Sequence, residues 1–419
     1  MSEEKLDPKL RFECSLEEYK KYKLGELVEN VVAGATPKTS VDDYWNGGDI
    51  PWLSSGEVHK KFIYFTDKFI TSEGYNNSST KIVPTNSVLI ALAGQGKTRG
   101  TVAINKIELC TNQSIASIIP NEMLNYKYLF YYLESKYEYL RALSSSDGGR
   151  GGLNLKLIRS IPIQVPSIKE QENISNFINE IDKKILLLEQ KHKLYDDFKK
   201  YLMQQIFTQK LRFADCTGEW NLFKLGDIVE LMRNGCSENQ VSFETEFPVT
   251  RIETISKGIL NFDKVGYVEK IDSSYLLQYG DILLSNINSL KYIGNCVFFD
   301  EDKPLYHGMN LMLMRFKDDF NKKYLFYYMK FYQQWFQKMA CQAVNQASIN
   351  QSSLKKFPFY IPPTIDEQNK IVNVIDDTEH KINSIEDQII KMEEFKKGLL
   401  QQMFVVQLIL SLLQNKKHI

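Results

Sequence analysis

Residues Phe198 to Phe207 read FKKYLMQQIF, and residues Phe395 to Phe404 read FKKGLLQQMF, 197 positions later. Each stretch ends a segment in which apolar residues recur at alternating steps of four and three over about five heptads. This spacing predicts two long helices, each with an apolar seam that packs against another helix. The seam residues that we expect at this interface are Ile174, Ile178, Ile181, Ile185, Leu188, Tyr195 and Leu202 in the first helix, and Ile371, Ile375, Ile382, Ile385, Ile389, Met392 and Leu399 in the second.

The rest of the chain is duplicated as well. The motif KYLFYY occurs at Lys127–Tyr132 and again at Lys323–Tyr328. A period of about 200 residues is far longer than that of a solenoid repeat, so the chain contains two copies of one domain-sized unit. The other repeated pieces are KLRF at Lys9–Phe12 and Lys210–Phe213, and YKLGELVE at Tyr22–Glu29, which returns as FKLGDIVE at Phe223–Glu230.

Each copy opens with a strand-rich region. Aromatic-rich segments at 126–140 and 323–339 are expected to form helices that pack on these strands. The Gly- or Asn-rich stretches 144–154 and 341–350 are interpreted as mobile loops, and the Pro-rich connectors 161–166 and 357–363 exclude helix. The predicted strands, which are short runs of branched residues broken by Gly, Asn and Pro, are 49–58, 87–92, 101–105 and 114–119 in the first copy and 247–252, 281–284, 296–299 and 311–316 in the second.

These patterns predict an α+β fold in which two similar mixed α/β domains are joined by two long helices. Because each helix follows a copy of the domain, we expect the helices to form an antiparallel coiled coil about a pseudo-two-fold axis, in a nearly circular arrangement. A helix of about 36 residues is ~54 Å long. The predicted segments are the domains 1–165 and 209–362, the helices 166–208 and 363–404, and a tail at 405–419.

Composition narrows the class of protein. Apolar content of 43% and charged content of 25% are typical of a folded globular chain. The 52 basic residues equal the 52 acidic ones, which argues against indiscriminate polyanion binding but permits a local basic face. The six cysteines lack metal-ligand spacing, so we expect reduced thiols and no metal site. The acidic start and the short apolar run at 405–413 predict a cytoplasmic protein without a membrane segment.

One motif suggests an enzyme. Ala91 to Thr98, ALAGQGKT, fits a relaxed phosphate-loop pattern, which would make the chain a nucleotide-hydrolysing enzyme. A phosphate loop must open a helix, however, and the residues that follow Thr98 predict another strand. Other catalytic motifs are absent from the sequence, so we expect no catalytic residues. A second alternative is a structural coiled-coil scaffold protein with two β-rich domains.

The polar loops of both copies carry the residue types that contact base edges. Asn and Gln pair with adenine, and Arg and Lys pair with guanine. Each residue alone is also explained as part of a solvated loop, and the clustering in both copies favours DNA contact. The candidate DNA-binding residues are Lys97, Arg99, Arg150, Asn154, Arg233, Asn234, Asn286, Asn288, Lys291, Gln342, Asn345 and Gln346.

In order along the chain, these motifs resemble the specificity subunit of type I restriction–modification systems. The resemblance rests on LGE/DIVE, DIPWLSSGEV, SVLIA with its Gly-rich turn, KYLFYY, a Pro-punctuated connector ending in Glu-Gln, and the heptad helix ending FKKxLLQQMF. It covers nearly the whole chain. The resemblance implies that each domain is a target-recognition domain for one half of a split, asymmetric sequence in double-stranded DNA, and that the helix pair sets the spacing between the halves.

The resemblance also implies partner proteins. Two modification subunits would carry S-adenosylmethionine, and restriction subunits would use ATP and Mg²⁺. Catalysis would belong to these partners, and the chain itself would bind no cofactor.

Overall fold

A computed structural model describes residues 8–12, 18–94, 97–145, 152–256, 258–343 and 346–404. The chain divides into two compact units, of which Met1–Glu189 with Asp387–Ile419 form unit 1 and Gln190–Glu386 form unit 2. Both boundaries fall inside the long helices, so each unit holds half of either helix. Within the described ranges, helices lack an apolar stretch long enough to cross a membrane.

Unit 1 contains a five-stranded sheet, a three-stranded sheet and a two-stranded ribbon. Its strands are β1 (Lys20–Lys23), β2 (Val28–Ala33), β3 (Ile50–Leu53), β4 (Phe62–Ile63), β5 (Lys68–Ile70), β6 (Val88–Ala91), β7 (Val102–Asn105), β8 (Cys110–Thr111), β9 (Ile115–Pro120) and β10 (Pro162–Val165). Its short helices are α1 (Ser72–Asn76), α2 (Tyr126–Ser135), α3 (Tyr137–Ser145) and α4 (Leu155–Ser160). The sheets have the orders β2-β9-β6-β7-β4, β5-β3-β8 and β1-β10.

The central sheet of unit 1 is covered on both faces. Alternate residues of β6 point to opposite sides: Val88 and Ile90 join the large core cluster with α2, whereas Leu89 and Ala91 join a second cluster. Helix α2 begins at a cap in which the Asn125 side chain accepts hydrogen bonds from the N–H groups of the first turn. Burial on both faces explains why β6 is a continuous apolar run without alternation.

Unit 2 repeats this plan. Its strands are β11 (Asn221–Lys224), β12 (Val229–Asn234), β13 (Gln240–Val241), β14 (Pro248–Val249), β15 (Gly266–Val268), β16 (Ile282–Leu284), β17 (Ile287–Asn288), β18 (Cys296–Phe298), β19 (Met312–Phe316), β20 (Cys341–Ala343), β21 (Gln346–Ser348) and β22 (Pro358–Ile361). Its short helices are α6 (Leu225–Ile228), α7 (Lys322–Phe331), α8 (Gln333–Met339) and α9 (Gln351–Leu354). The sheets have the orders β12-β19-β16-β18, β13-β15-β14, β17-β21-β20 and β11-β22.

Some predicted elements differ from the observed ones. The stretch 341–350, predicted to be a loop, contains β20 and β21, because the neighbouring strand β17 offers an edge with which β21 pairs. The predicted strand 49–58 ends at Leu53, since the Glu57 carboxylate accepts a hydrogen bond from the Ser54 N–H at 3.1 Å and caps a 3₁₀ turn. Most of the stretch 144–154 lies outside the described residues.

The two long helices are α5 (Ile168–Phe207) and α10 (Ile365–Met403). In unit 1, Lys396 of α10 forms an ion pair with Asp182 of α5 at 2.8 Å. In unit 2, Lys199 of α5 forms the equivalent ion pair with Glu379 of α10, also at 2.8 Å. The contact that lies closer to the C-terminus of α5 therefore lies closer to the N-terminus of α10, by the same number of residues. The helices are antiparallel, which confirms the predicted α+β fold class with its helix pair.

The seam residues are buried or half-buried along both helices. Those buried are Ile174, Ile178, Ile181, Ile185, Leu188, Leu202, Ile371, Ile375, Ile382, Ile385 and Leu399. Tyr195, Ile389 and Met392 are half-buried. Where α10 ends, the Phe404 ring packs edge-on against Tyr128 of α2 at 5.2 Å, so the end of the helix is anchored in the core of unit 1. The predicted tail 405–419 lies outside the described residues.

Candidate nucleic-acid interface

The polar candidates of unit 2 lie at one end of its four-stranded sheet. Strand β12 ends at Asn234, which pairs with Met312 at the start of β19. Met312 also pairs with Leu284, where β16 ends. The chain segments after Asn234 and after Leu284 therefore leave the sheet at the same end.

The structure joins two candidate clusters that are distant in sequence. Asn288 on β17 pairs with Ala347 on β21, and Gln342 on β20 pairs with the same residue. Gln346 is the first residue of β21. Asn345 lies outside the described residues. The segment after β16 and the Asn-rich hairpin thus form one small sheet that extends from the end of the large one.

Asn286, which the sequence predicts to be a base-reading residue, is buried in the structure. It is 3% exposed, and its side-chain amide donates to the carbonyl oxygen of Ile349 at 3.3 Å. Its backbone carbonyl accepts from the Ile349 N–H at 2.9 Å, as that of Leu92 accepts from Leu153 at 3.1 Å in unit 1. Asn286 therefore occupies the structural place of a buried leucine.

Asn288 and Lys291 remain closer to solvent. Asn288 is half-buried, and its amide donates to the Ser285 hydroxyl at 3.1 Å. Lys291 is exposed, with its ammonium 5.3 Å from the ring centroid of Tyr292. An exposed ammonium beside an aromatic ring suits a contact with a phosphate or a base.

Arg233 is held against unit 2. Its guanidinium lies 4.0 Å from the ring centroid of Tyr275 and donates to the Ser274 carbonyl oxygen. This packing fixes the end of β12 and restricts how far the side chain can extend towards a groove. Asn234, the next residue, is exposed.

In unit 1, the corresponding loop follows β6. Lys97 is exposed, and its backbone carbonyl accepts a hydrogen bond from the Tyr137 hydroxyl at 2.8 Å. Arg99 is half-buried in the same loop. Asn154 is exposed, but its side chain accepts from the Leu157 N–H at 2.9 Å and caps α4, so it has a structural role that Asn350 repeats at the start of α9. Arg150 lies outside the described residues.

In both units, side chains at equivalent positions of a short helix, α3 in unit 1 and α8 in unit 2, hold the polar loop by hydrogen bonds. Sequence analysis missed this feature. In unit 1, Arg141 donates to the Tyr137 hydroxyl at 2.8 Å, and that hydroxyl holds the Lys97 carbonyl. In unit 2, Gln337 donates to the Lys291 carbonyl at 3.3 Å, and Gln333 donates to the carbonyl of Ile293 at 3.1 Å. The repeat offset of 196 relates Tyr137 to Gln333 and Arg141 to Gln337, and that offset is the signal that could have revealed them.

The phosphate-loop interpretation does not fit the geometry. Ala91 ends β6, and its backbone carbonyl accepts from the Gly100 N–H at 2.9 Å, so the loop simply connects β6 to its antiparallel neighbour β7. A phosphate loop instead places the N-terminus of a helix at the phosphates. In the described part of the chain, His, Cys, Asp and Glu side chains also form no group of three or more that could hold a metal ion.

Solved structures share this fold. The S subunit of a type I restriction–modification system from M. genitalium aligns over 96% of this chain and 100% of its own, with a TM-score of 0.58 and 14% identity. At 14% identity, this similarity is evidence for a shared fold alone.

Sequence relatives and a family model carry the identification further. The putative type I restriction enzyme MjaX specificity subunit of Methanocaldococcus jannaschii is 38% identical over 205 residues, which are 47% of this chain and 48% of that protein. The MjaIX specificity subunit of the same organism is 27% identical over 256 residues, 55% and 57% of the two chains. The alignments thus span about half the length of these curated relatives. The family model of the type I restriction modification DNA specificity domain matches residues 16–194 and 217–394, so the chain belongs to this family.

Proposed function

We propose that the chain is the DNA-reading subunit of a type I restriction–modification complex, and that units 1 and 2 each read one half of a split, asymmetric sequence in double-stranded DNA. The observation that carries this proposal is the repeated loop support: the same helix positions hold a polar loop at the same end of the sheet in both units. The loops themselves differ in chemistry, so the two half-sequences differ.

The exposed or half-exposed candidates define the reading surfaces. Lys97 and Arg99 present basic groups in unit 1, whereas Asn234, Asn288 and Lys291 present amides and one ammonium in unit 2. Lys and Arg suit guanine or phosphate, and Asn suits adenine. Gln342 and Gln346 lie on the adjoining hairpin. We leave Asn286 out of these surfaces because its side chain is buried.

We further propose that the long helices bind the modification subunits. A contiguous patch of large apolar side chains on a protein surface marks a site of contact with another protein. Exposed side chains of this kind are Leu186, Leu187, Leu194, Phe198 and Tyr201 on α5, and Ile390 and Phe395 on α10. The modification subunits would carry S-adenosylmethionine, and restriction subunits would supply ATP- and Mg²⁺-dependent cleavage. This chain would act in the cytoplasm, without a catalytic role or a cofactor of its own.

The test is to map methylated adenines in cells that hold this chain and its modification subunit. We expect one split motif. Replacing residues 18–165 with the same domain of a relative should change one half of that motif, and the matched replacement of residues 221–361 should change the other. A contiguous motif, or a motif that survives either replacement, would contradict the proposal.

The scaffold alternative makes a different prediction. A purely structural protein would leave the DNA affinity of its complex unchanged between two unrelated sequences. A DNA-reading subunit should give an affinity that falls steeply with salt for every sequence and is at least about a thousandfold higher for its target.

A further inference from the structure

Each unit contains a loop that is closed in the same way. In unit 1 the Gly100 N–H donates to the Ala91 carbonyl oxygen at 2.9 Å, and in unit 2 the Gly294 N–H donates to the Ser285 carbonyl oxygen at 3.0 Å. Both glycines are left-handed, with φ of 82° and 79°, a conformation that strains most other residues. These two closed loops enclose eight residues each, 92–99 in unit 1 and 286–293 in unit 2.

A second hydrogen bond fixes how the closed loops correspond. The Thr101 N–H donates to the Thr98 carbonyl oxygen at 3.1 Å, and the Asn295 N–H donates to the Tyr292 carbonyl oxygen at the same distance. In both kinds of bond, each residue of unit 2 follows its counterpart in unit 1 by 194 positions. The closed loops can therefore be compared residue by residue.

In this register the closed loops have a single residue in common. LAGQGKTR of unit 1 aligns with NINSLKYI of unit 2, and only Lys97 and Lys291 are identical. The lysine of the motif that resembles a phosphate loop thus recurs in unit 2, whereas the glycines of that motif do not. The lysine is the part of the closed loop that both units share.

Both lysines are also held at the same backbone atom. The Tyr137 hydroxyl of α3 donates to the Lys97 carbonyl oxygen at 2.8 Å, and the Gln337 amide of α8 donates to the Lys291 carbonyl oxygen at 3.3 Å. These donors are not equivalent in the repeat, since Tyr137 corresponds to Gln333. Different side chains thus hold the same atom, and both lysines are exposed.

We infer that Lys97 and Lys291 are equivalent contacts to DNA phosphates, one in each half of the target, and that Tyr137 and Gln337 position them. The inference rests on the proposed function, in which the two units read different half-sequences. A side chain that reads a base favours that base, so the residue shared by two otherwise different loops suits what all half-sequences share, the sugar–phosphate backbone. Lysine fits this role because its ammonium is a compact charge on a flexible stem, without a planar fork for bidentate pairing.

The experiment measures DNA binding by the full chain assembled with its modification subunit. The probes are a duplex that carries the methylated motif and an unrelated duplex, each titrated at several salt concentrations. Lys97→Ala and Lys291→Ala should each weaken binding to both duplexes by the same factor, about five- to tenfold at ~0.1 M salt, and reduce the slope of log affinity against log salt by about 0.9. The double variant should reduce the slope by about 1.8. The methylated motif should stay the same in all three.

Matched variants separate charge from folding. Lys97→Arg and Lys291→Arg keep the positive charge and should retain the salt slope of the wild type. Lys81→Ala removes an exposed ammonium from the segment that enters β6 rather than the one that leaves it, and should bind both duplexes as the wild type does. All of these positions are exposed, so the melting temperature should not change.

A double-mutant cycle tests the positioning role of Tyr137. Tyr137→Phe removes the hydrogen bond to the Lys97 carbonyl and should weaken DNA binding when Lys97 is present. It should have no further effect on Lys97→Ala, because the bond acts through the lysine. If the two effects add, Tyr137 does not act through Lys97 and the positioning role is wrong.

Three results would overturn the phosphate contacts. If either alanine variant alters one base of the methylated motif, that lysine reads a base. If either variant has the affinity and salt slope of the wild type, that lysine does not contact DNA. If an arginine variant binds as weakly as the alanine variant, the charge is not the cause of the loss.

Failure of the proposed function gives a different result. If the wild-type complex methylates no split sequence, or if its DNA affinity does not depend on salt, the proposed function fails whatever the variants do. If the wild-type complex methylates a split sequence and the lysine variants bind as it does, only the inference about Lys97 and Lys291 fails.

Discussion

The backbone N–H of Leu10 donates a hydrogen bond to the carbonyl oxygen of Gln402 at 3.1 Å, although 392 positions separate the two residues in the chain. In unit 2, Leu211 donates to Gln205 at 3.0 Å, and here the two residues belong to one continuous segment. The same contact therefore occurs in both units. In unit 2 it joins residues of one continuous segment, whereas in unit 1 it joins segments from opposite ends of the sequence.

This relationship predicts that the chain can be circularly permuted. Joining Phe404 to Lys9 by Thr-Gly, and starting the new chain at Lys210, should keep the free energy of unfolding within ~1 kcal/mol, because no buried element is cut. Glycine suits the second linker position because its counterpart Gln209 has φ of 57°. Urea denaturation measures the change. The control permutant, which has the same linker but opens between Leu89 and Ile90 in buried β6, should not fold.

The ion pair between Arg11 and Glu170 predicts a large effect of a single substitution. Glu170 is 2% exposed, and the Arg11 guanidinium donates to both of its oxygens at 3.1 and 2.8 Å. Arg11→Met leaves a buried carboxylate without its cation, which should cost about 3 kcal/mol of unfolding free energy. Adding Glu170→Gln removes the charge and should recover at least half of the loss, as urea denaturation would show. Equal losses in the single and double variants would mean that the charge of Glu170 is not the cause.

His307 predicts a dependence of stability on pH. Burial lowers the pKa of this imidazole to about 4 from an ordinary value of 6.5. Between these two values the unfolded chain binds a proton that the folded chain does not, so stability falls as the pH decreases from about 6.5 towards 4 and levels off below that. The shift corresponds to about 3 kcal/mol.

The measurement compares urea denaturation of the wild type and of His307→Gln at pH 7.5 and at pH 5. The variant keeps a donor for the Leu311 carbonyl, which the imidazole contacts at 3.0 Å, and should lose less stability than the wild type on acidification. His59→Gln, a change at an exposed imidazole, is the control and should behave as the wild type does. If all three proteins lose the same amount of stability between pH 7.5 and pH 5, titrating groups other than His307 cause the loss.

Adjacent residues on α5 allow a matched test of the seam. Ile185 is buried at the helix interface of unit 1, whereas Leu186 is 52% exposed. Ile185→Asp places a carboxylate among apolar side chains and should destabilise unit 1 by more than about 3 kcal/mol and impair assembly with the modification subunit. Leu186→Asp adds the same charge and should change the free energy of unfolding by less than about 0.5 kcal/mol. Similar stabilities of the two variants would mean that the seam is assigned to the wrong face.

The helix pair and the core could be predicted from sequence because their signals are local and repeated. The steps of four and three place Ile174 and Ile178 on one face whatever the rest of the chain does, and the duplicated KYLFYY marks the buried helices α2 and α7. The small sheet β17-β21-β20 could not be predicted, because it depends on pairing between segments some 60 residues apart.

Asn286 shows most clearly what a single sequence could not reveal, and it provides the last prediction. Its amide oxygen is buried and, among the described residues, has no hydrogen-bond partner. Asn286→Leu copies Leu92 and removes this unsatisfied group, so it should leave unfolding free energy unchanged or raise it by about 1 kcal/mol. Because the side chain does not reach solvent, the methylated motif should also be unchanged.

Lys291→Ala is the matched change at an exposed position of the same segment. If Lys291 contacts a phosphate, the loss of its ammonium should weaken binding to all DNA sequences about equally and reduce the salt dependence by about one charge. If it contacts a guanine, Lys291→Ala should remove the preference for that base at one position of the motif, which is about 1–3 kcal/mol of binding free energy. Titrations of the complex against target and unrelated DNA at two salt concentrations separate these outcomes. A motif altered by Asn286→Leu but not by Lys291→Ala would reverse the assignment of buried and reading residues in unit 2.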